Sequence, residues 1–356
     1  MEQVGSENAT SLRLRPGETV EVRSEAEILR TLDSQGRLDA LPFMPEMLEY
    51  CGKQFKVYKR SDKTCDTINS TGSRRMWNTV HLEDLRCNGA AHGGCQARCL
   101  FFWKEAWLKR IHPSLSRRVA TKIRLLLDQA SEPTSPNENS LTHDELIGTT
   151  LISDKNAIPG EEIYACQATE LLKASAPLAW WDIRQYFRDL RSGDFGLVDL
   201  TSAILVRAFN ILVKFGVGYR ALIWSYNKFQ HACGGTPYPY RNGALTKTPS
   251  EELNLQPGEL VQIKTHDEIL ETLDKRNKNR GLFFDVEMAP YCNGRFKVLQ
   301  RVERIISEKT GKMTTLPGGC VMLEGVICRA IYSDRRIACP RSIYSYWREI
   351  WLKRVE

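Results

Sequence analysis

The chain has 356 residues, 26% charged and 42% hydrophobic, a balance that excludes global disorder and leaves room for two or three domains with their own cores. Lys and Arg number 50 against 43 Asp and Glu, and the formal charge of +7 permits an anionic partner without demanding one. Residues 1–10 lack a basic start followed by an apolar run, so no secretory signal is expected, a cytoplasmic location follows by default, and the 11 cysteines are expected to be thiols or metal ligands rather than disulfides.

After a short tail (1–13), an internal repeat dominates the sequence. A single offset of 241 residues lays Leu14, Pro16, Gly17, Glu18 and Val20 on Leu255, Pro257, Gly258, Glu259 and Val261. The same offset lays Phe43, Glu46, Met47, Tyr50 and Cys51 on Phe284, Glu287, Met288, Tyr291 and Cys292, and Cys87 on Cys328. Three residues are then inserted in the second copy. After them Cys95 meets Cys339, and Trp103, Glu105, Trp107, Lys109 and Arg110 meet Trp347, Glu349, Trp351, Lys353 and Arg354.

Each copy opens on Pro-Gly-Glu and an alternating strand pattern (Val20 and Val22; Val261 and Ile263). Ile28, Leu29 and Leu32 predict a short helix over 25–32, and further strands follow around Phe55 and Val57 and over 80–85. Trp103 and Trp107, with Leu100 and Ile111, predict a closing helix packed on its own module, with Glu105 and Lys109 placed for an i,i+4 pair. Several short strands with turns between them suggest a small closed barrel, and the opening turn and strand resemble the start of an SH3-like barrel.

Between the copies, residues 129–140 and 234–253 read as linkers, the first rich in Ser, Pro, Glu and Asn, the second carrying Pro237, Pro239 and Pro249. The segment 141–233 reads as helical over 160–175, 178–191 and 198–231, with Trp180, Trp181, Tyr186 and Phe187 making the second run aromatic. The apolar stretch 197–226 is broken by Asp199, Arg207, Lys214 and Arg220. A charge at a bilayer centre costs roughly 2.5–3.5 kcal/mol, so this stretch predicts a core helix and no membrane span. The expected fold class is therefore α+β: duplicated SH3-like barrel modules (14–128 and 254–356), each ending in a helix, flanking a mostly helical middle domain.

One cluster carries metal chemistry. Cys87, His92, Cys95 and Cys99 form C-x4-H-x2-C-x3-C in a loop loosened by Gly89, Gly93 and Gly94, with Cys65 as a substitute ligand. Thiolates and an imidazole at this spacing suit a tetrahedral zinc ion, structural if four-coordinate and catalytic if one position stays open. The second copy lacks His92 and Cys99 but has Cys292, Cys320, Cys328 and Cys339, which read either as an all-cysteine site or as small apolar core residues. Cys166 reads as a structural thiol, with a nucleophile near a helix start as the alternative.

Lys109, Arg110, Arg117, Arg118, Lys122 and Arg124 crowd one predicted helix after the first module, a face that suits phosphates or, more blandly, solvent. The whole-chain pattern, including the closing run from Cys339 to Trp351, Cys-Pro-Arg-Ser-Ile-Tyr-Ser-Tyr-Trp-Arg-Glu-Ile-Trp, resembles an uncharacterised bacterial two-repeat family encoded near biosynthetic genes. That resemblance implies a role in specialised or polysaccharide metabolism and brings no catalytic residues with it. Two functional readings follow. The first is a non-catalytic scaffold whose tandem modules, the first zinc-stabilised, engage an extended anionic partner such as a nucleic acid or an acidic protein. The second is a metal- or thiol-dependent enzyme with its pocket between the repeats and the helical segment around Trp180, using Cys95, Cys99 or His92, with one active copy and one decayed copy.

Overall fold

The computed structural model describes residues 11–111, 141–152, 162–216, 218–333 and 336–355. The chain is a mixed α/β structure of small antiparallel sheets. In the first repeat, β1 (Thr19–Val22), β2 (Gln54–Arg60), β3 (Thr79–Leu82), β4 (Trp103–Lys104) and β5 (Leu108–Arg110) form a sheet in the order β4-β3-β2-β1-β5. In the second, β6 (Leu260–Ile263), β7 (Arg295–Arg301), β8 (Cys320–Leu323), β9 (Trp347–Arg348) and β10 (Leu352–Arg354) take the order β9-β8-β7-β6-β10.

The register repeats as well. Val20 pairs with Phe55 and Val22 with Leu108, as Val261 pairs with Phe296 and Ile263 with Leu352. Both second strands carry the same irregularity, between Val57 and Lys59 and between Val298 and Gln300. Bulges of this kind bend a strand and strengthen its twist. The edge strands β4 and β5 are joined by one 3₁₀ turn, Glu105–Trp107, and β9 and β10 by Glu349–Trp351, so each sheet must curl to bring its opposite edges together.

This turn replaces the predicted closing helix. Trp103 ends up in a strand and Trp107 at the end of the 3₁₀ turn, both fully buried, because strand–turn–strand geometry also puts residues four apart on one side. The tryptophans pack on their own module as expected, with Phe43 edge-on to Trp107 at 5.1 Å and Phe284 edge-on to Trp351 at 5.5 Å. The Trp107 indole donates to Thr31 at 3.0 Å and Trp351 to Thr272 at 2.9 Å, so neither of these buried N–H groups is orphaned.

The predicted Glu105–Lys109 pair does not form. Buried Glu105 instead accepts from the backbone N–H of Arg13 and Leu14 and pairs with Arg60 at 2.8 Å, while Lys109 reaches Glu27 at 3.0 Å. Glu349 does the same, accepting from Leu253, Asn254 and Leu255 and pairing with Arg301 at 2.6 Å. Each carboxylate ties the start of its module to the turn near its end. The predicted short helix is present as Glu25–Leu29, with a capping box between Ser24 and Glu27 that is echoed by Thr265 and Glu268.

The middle segment departs from the mostly helical expectation over 160–175, which reads as a helix in sequence. Residues 163–178 hold two short strands, Ile163–Tyr164 and Ala176–Leu178, joined by turns, and the second adds to the hairpin strand Ser73–Arg75 of the first repeat. Cys166, Ala168, Leu171 and Ala174 enter the core of the first repeat, and the Gln167 amide bridges Pro42 and Phe102. Three helices follow: α1 (Arg184–Ser192), α2 (Leu197–Lys214) and α3 (Tyr219–Cys233). α2 is not the core helix that its apolar composition predicts. Among its described side chains only Leu200, Ala203 and Asn210 are buried, and most of the large apolar ones face out. No helix among the described residues is long and apolar enough to cross a membrane.

Candidate functional site

The two repeats touch through backbone and side chains. Gln96 N–H donates to the Arg304 carbonyl at 3.1 Å, and Arg86 reaches the Ser342 carbonyl at 3.1 Å. Between them lies a cavity of about 400 Å³, largely apolar, lined by Met44, Leu100, Phe101, Ile305, Ile343 and Tyr346 together with the thiols of Cys87, Cys95, Cys99 and Cys166.

The glycine loop forms one wall, and its glycines tighten it rather than loosen it. Gly89 has φ +77°, and a Cβ there would lie 2.2 Å from the Cys95 carbonyl oxygen. This close approach brings Cys95 back beside Cys87, and the Gly89 N–H donates to Cys87 Sγ at 3.3 Å. The Cys87 N–H also bonds the Cys99 carbonyl at 2.8 Å, fixing the base of the loop.

A three-residue chain then runs through the site. Cys87 Sγ lies 3.4 Å from His92 Nε2, and His92 Nδ1 lies 3.1 Å from Glu46 Oε1. All three side chains are buried. Glu46 lies off the N–H axis of Nδ1, so that contact is an ion pair rather than a linear hydrogen bond. Glu46 sits in the 3₁₀ segment Pro45–Tyr50, and its Oε1 is fixed by the Ala91 N–H at 2.9 Å. Cys95 lines the same cavity and accepts from the Ile306 N–H of the second repeat at 3.3 Å.

The electrostatics follow from these contacts. Burial alone would neutralise His92, but the neighbouring Cys87 and Cys95 sulfurs and the Glu46 carboxylate outweigh that and hold the imidazolium far above its ordinary range. Burial pushes the Glu46 carboxyl up, and the opposing bonds from His92 and the Ala91 N–H bring it below its ordinary value. In Cys95, burial is likewise overcome by His92 and by the N–H groups of Ile306 and Ala97, which lower the thiol. Burial pushes the Cys166 thiol up to about 11 and Cys99 higher still, which fits the reading of Cys166 as a structural thiol.

Of the residues expected to hold a metal, Cys87 and His92 come together, and Glu46 joins them: one ligand atom from each lies within 4.8 Å of the others, a group able to hold a metal ion. Among the described residues no other such group of three forms. Cys65 is elsewhere, packed with Cys339 and Ala330 in a small cluster. In the second repeat Cys292 borders the main core, Cys320 packs with Val302 and Met322, and Cys328 lies beside the Cys65–Cys339 pair. Of the basic cluster, Lys109 and Arg110 pair with Glu27 and Glu18, and Arg117, Arg118, Lys122 and Arg124 lie outside the described residues.

The second copy shows what the first has in addition. Glu287 accepts from the N–H of Tyr332 and Ser333, both at 2.7 Å, as Glu46 accepts from Ala91. At the common offset Ser333 stands where His92 does, so the second repeat keeps the carboxylate and Cys328 but lacks the imidazole between them. Glu46 does not stand out as functional from its local sequence, although the repeat carries a signal for it: an acid retained in both copies among the apolar Phe43, Met47 and Tyr50 positions is a burial pattern that needs a partner. No protein-family model, curated protein or solved structure matches this chain.

Proposed function

We propose that this chain is a thiol-dependent enzyme whose active copy is the first repeat and whose substrate enters the apolar cavity between the repeats. The carboxylate–imidazole–thiol chain Glu46–His92–Cys87 carries this reading. A nucleophile within reach of a base that a third group orients is the arrangement that covalent catalysis requires. The reaction class that suits it is acyl transfer. The Cys87 thiolate attacks a carbonyl carbon, the S–C bond forms as the bond to the leaving group breaks, and His92 gives its proton to that leaving group. Water or another acceptor then attacks the thioester, His92 takes its proton, and the C–S bond breaks. Glu46 fixes the imidazole orientation. The apolar walls favour an acyl group of modest size.

A second reading has an observation of its own: Glu46, Cys87 and His92 also suit a metal ion, with zinc the natural choice for a thiolate and an imidazole. The scaffold reading has less support, since Lys109 and Arg110 direct their charge to Glu27 and Glu18. We read each curled sheet, with its 3₁₀ link between opposite edges, as an SH3-like barrel that carries the site rather than performing the chemistry.

The test is to incubate the purified chain with p-nitrophenyl acetate and butyrate, then map acyl adducts by mass spectrometry. A burst of nitrophenol with the adduct on Cys87, absent in Cys87→Ala and strongly slowed in His92→Asn, is the expected result. Stoichiometric zinc in the purified protein, with thiols that react only after chelation, would replace this reading by the metal site.

A further inference from the structure

We infer that α2, with the Trp180–Trp181 corner beside it, is a docking face for the surface of an anionic lipid bilayer. Outward apolar residues recur at helical spacing from one end of α2 to the other: Leu197, Val198, Leu205 and Leu212 are exposed, and Phe215 continues the stripe just past the last turn, with Leu205 68% and Phe215 76% exposed. A surface helix ordinarily turns its apolar stripe inward. Here the stripe faces out, while Asn210 is buried and Asp199 lies within ion-pair distance of Arg329 of the second repeat. Trp181 is 68% exposed, and Trp180 packs edge-on against it at 5.9 Å while stacking on Arg207 of α2 at 4.6 Å, so the tryptophan pair borders the same face.

The charge around this stripe selects the occupant. Arg220 and Lys228 are exposed on α3, the helix packed on α2, and Arg188 and Arg191 are exposed on α1, where they border a cleft with Arg13 and Asp62. The acidic residues of this region are engaged: Asp182 with Arg184, Asp189 with Lys63, Asp194 with the Arg60 N–H and Asp199 with Arg329. An apolar stripe with tryptophan and Arg207 at its border and exposed cations on the packed helix α3 is the composition of a helix lying in a membrane interface, its apolar side among acyl chains and its cations at anionic headgroups. At 18 residues, with Asp199 and Arg207 within it, α2 suits lying on the surface rather than crossing it. A second copy of the chain would set the same arginines against one another, which argues against a symmetric dimer through this face.

The test is flotation of the full chain with vesicles of phosphatidylcholine alone or mixed with phosphatidylglycerol. The expected result is flotation with the anionic vesicles, weakened by salt, and a loss on the order of tenfold in Leu205→Glu/Leu212→Glu. Because both positions are exposed, the fold of that variant should survive, and unchanged alkylation of Cys87 checks it. Brominated lipids give a readout on the unmodified protein. The repeat tryptophans Trp103, Trp107, Trp347 and Trp351 are buried and Trp77 is half-buried, so quenching that persists in Trp77→Phe would come from the exposed Trp180, Trp181 and Trp224. Three results would overturn the inference: no flotation with either vesicle, equal flotation of the double variant, or a dimer in light scattering that the double variant disperses while vesicles bind neither form.

Discussion

Glu46 and Glu287 occupy the same place in the two repeats, accept the equivalent backbone N–H from Ala91 and from Tyr332, and are held in opposite protonation balance. Burial raises both carboxyls. Only Glu46 meets an imidazole, which with the Ala91 N–H brings it below the ordinary range, whereas at Glu287 burial, aided by Asp285, outweighs the Ser333 N–H and the more distant Arg336.

Opposite outcomes are expected for the same substitution at these two positions. Glu46→Gln should slow acylation by about 10- to 100-fold, the loss typical when a group that orients a histidine is removed. Glu287→Gln should leave acylation unchanged and keep or raise the urea midpoint at neutral pH. The sign follows from linkage: a carboxyl raised in the folded state adds stability below its unfolded pKa and loses it as pH rises through the folded value. Ionised Glu287 is therefore a cost at neutral pH, and the two proteins should converge in acid. A lowered midpoint for Glu287→Gln at pH 7 would contradict this.

The carboxylates of the two turns should behave differently again. Glu105 is fully buried, paired with Arg60, and bonded to two backbone N–H groups. Glu105→Gln leaves the guanidinium with Asp62 alone as counter-charge, so a loss toward the lower end of roughly 3–5 kcal/mol is expected in urea unfolding, as for other broken buried pairs. Replacing Arg60 as well should recover part of it, because the two effects share one interaction and are not additive.

Acid should destabilise the protein through buried His81 and half-buried His266. Burial lowers His81 to about 3, against a weaker opposing bond from the Phe101 carbonyl, and burial with help from Arg241 lowers His266 to about 4. Both are neutral in the folded chain where the unfolded chain takes up protons. Stability then falls as pH drops below about 6.5, by up to about 1.4 kcal/mol per pH unit per histidine, down to about pH 4 for His266 and pH 3 for His81. Urea midpoints measured between these limits should show a shallower slope in His81→Gln and in His266→Gln.

Much of this architecture is legible in the sequence because duplication makes it so. A constant offset predicts two equivalent modules, and the strand at Val20 and the helix at Ile28 follow from local period. The closing helix fails for a physical reason: Trp103 and Trp107 satisfy helical spacing, yet a strand followed by a 3₁₀ turn places them equally well. α2 shows a different limit. Periodicity reveals that Leu205 and Leu212 share a face, but only the packing of neighbouring elements decides whether that face is covered. The site is partly legible for the same reason. Cys87 and His92 are close in sequence, whereas Glu46 and the Ile306 N–H arrive from other elements, and one of them from the other repeat.

The glycine loop offers the sharpest test of how the site is held. Gly89 combines a positive φ with a place where a Cβ would overlap the Cys95 backbone, at 2.2 Å from the carbonyl oxygen. Gly52 has a similar φ of +72° but open space around a Cβ. Both alanine variants incur the strain of a left-handed residue, about 1–3 kcal/mol. Only Gly89→Ala must also push the Cys95 backbone away, and with it the thiol that accepts from the Ile306 N–H and the loop that carries His92. Gly52→Ala should thus lose stability and retain acylation of Cys87, while Gly89→Ala should lose both. Differential alkylation of Cys87 and Cys95, followed by mass spectrometry alongside urea unfolding, separates the two effects. Equal acylation in the two variants would mean that the close approach of Gly89 to Cys95 does not hold the site together.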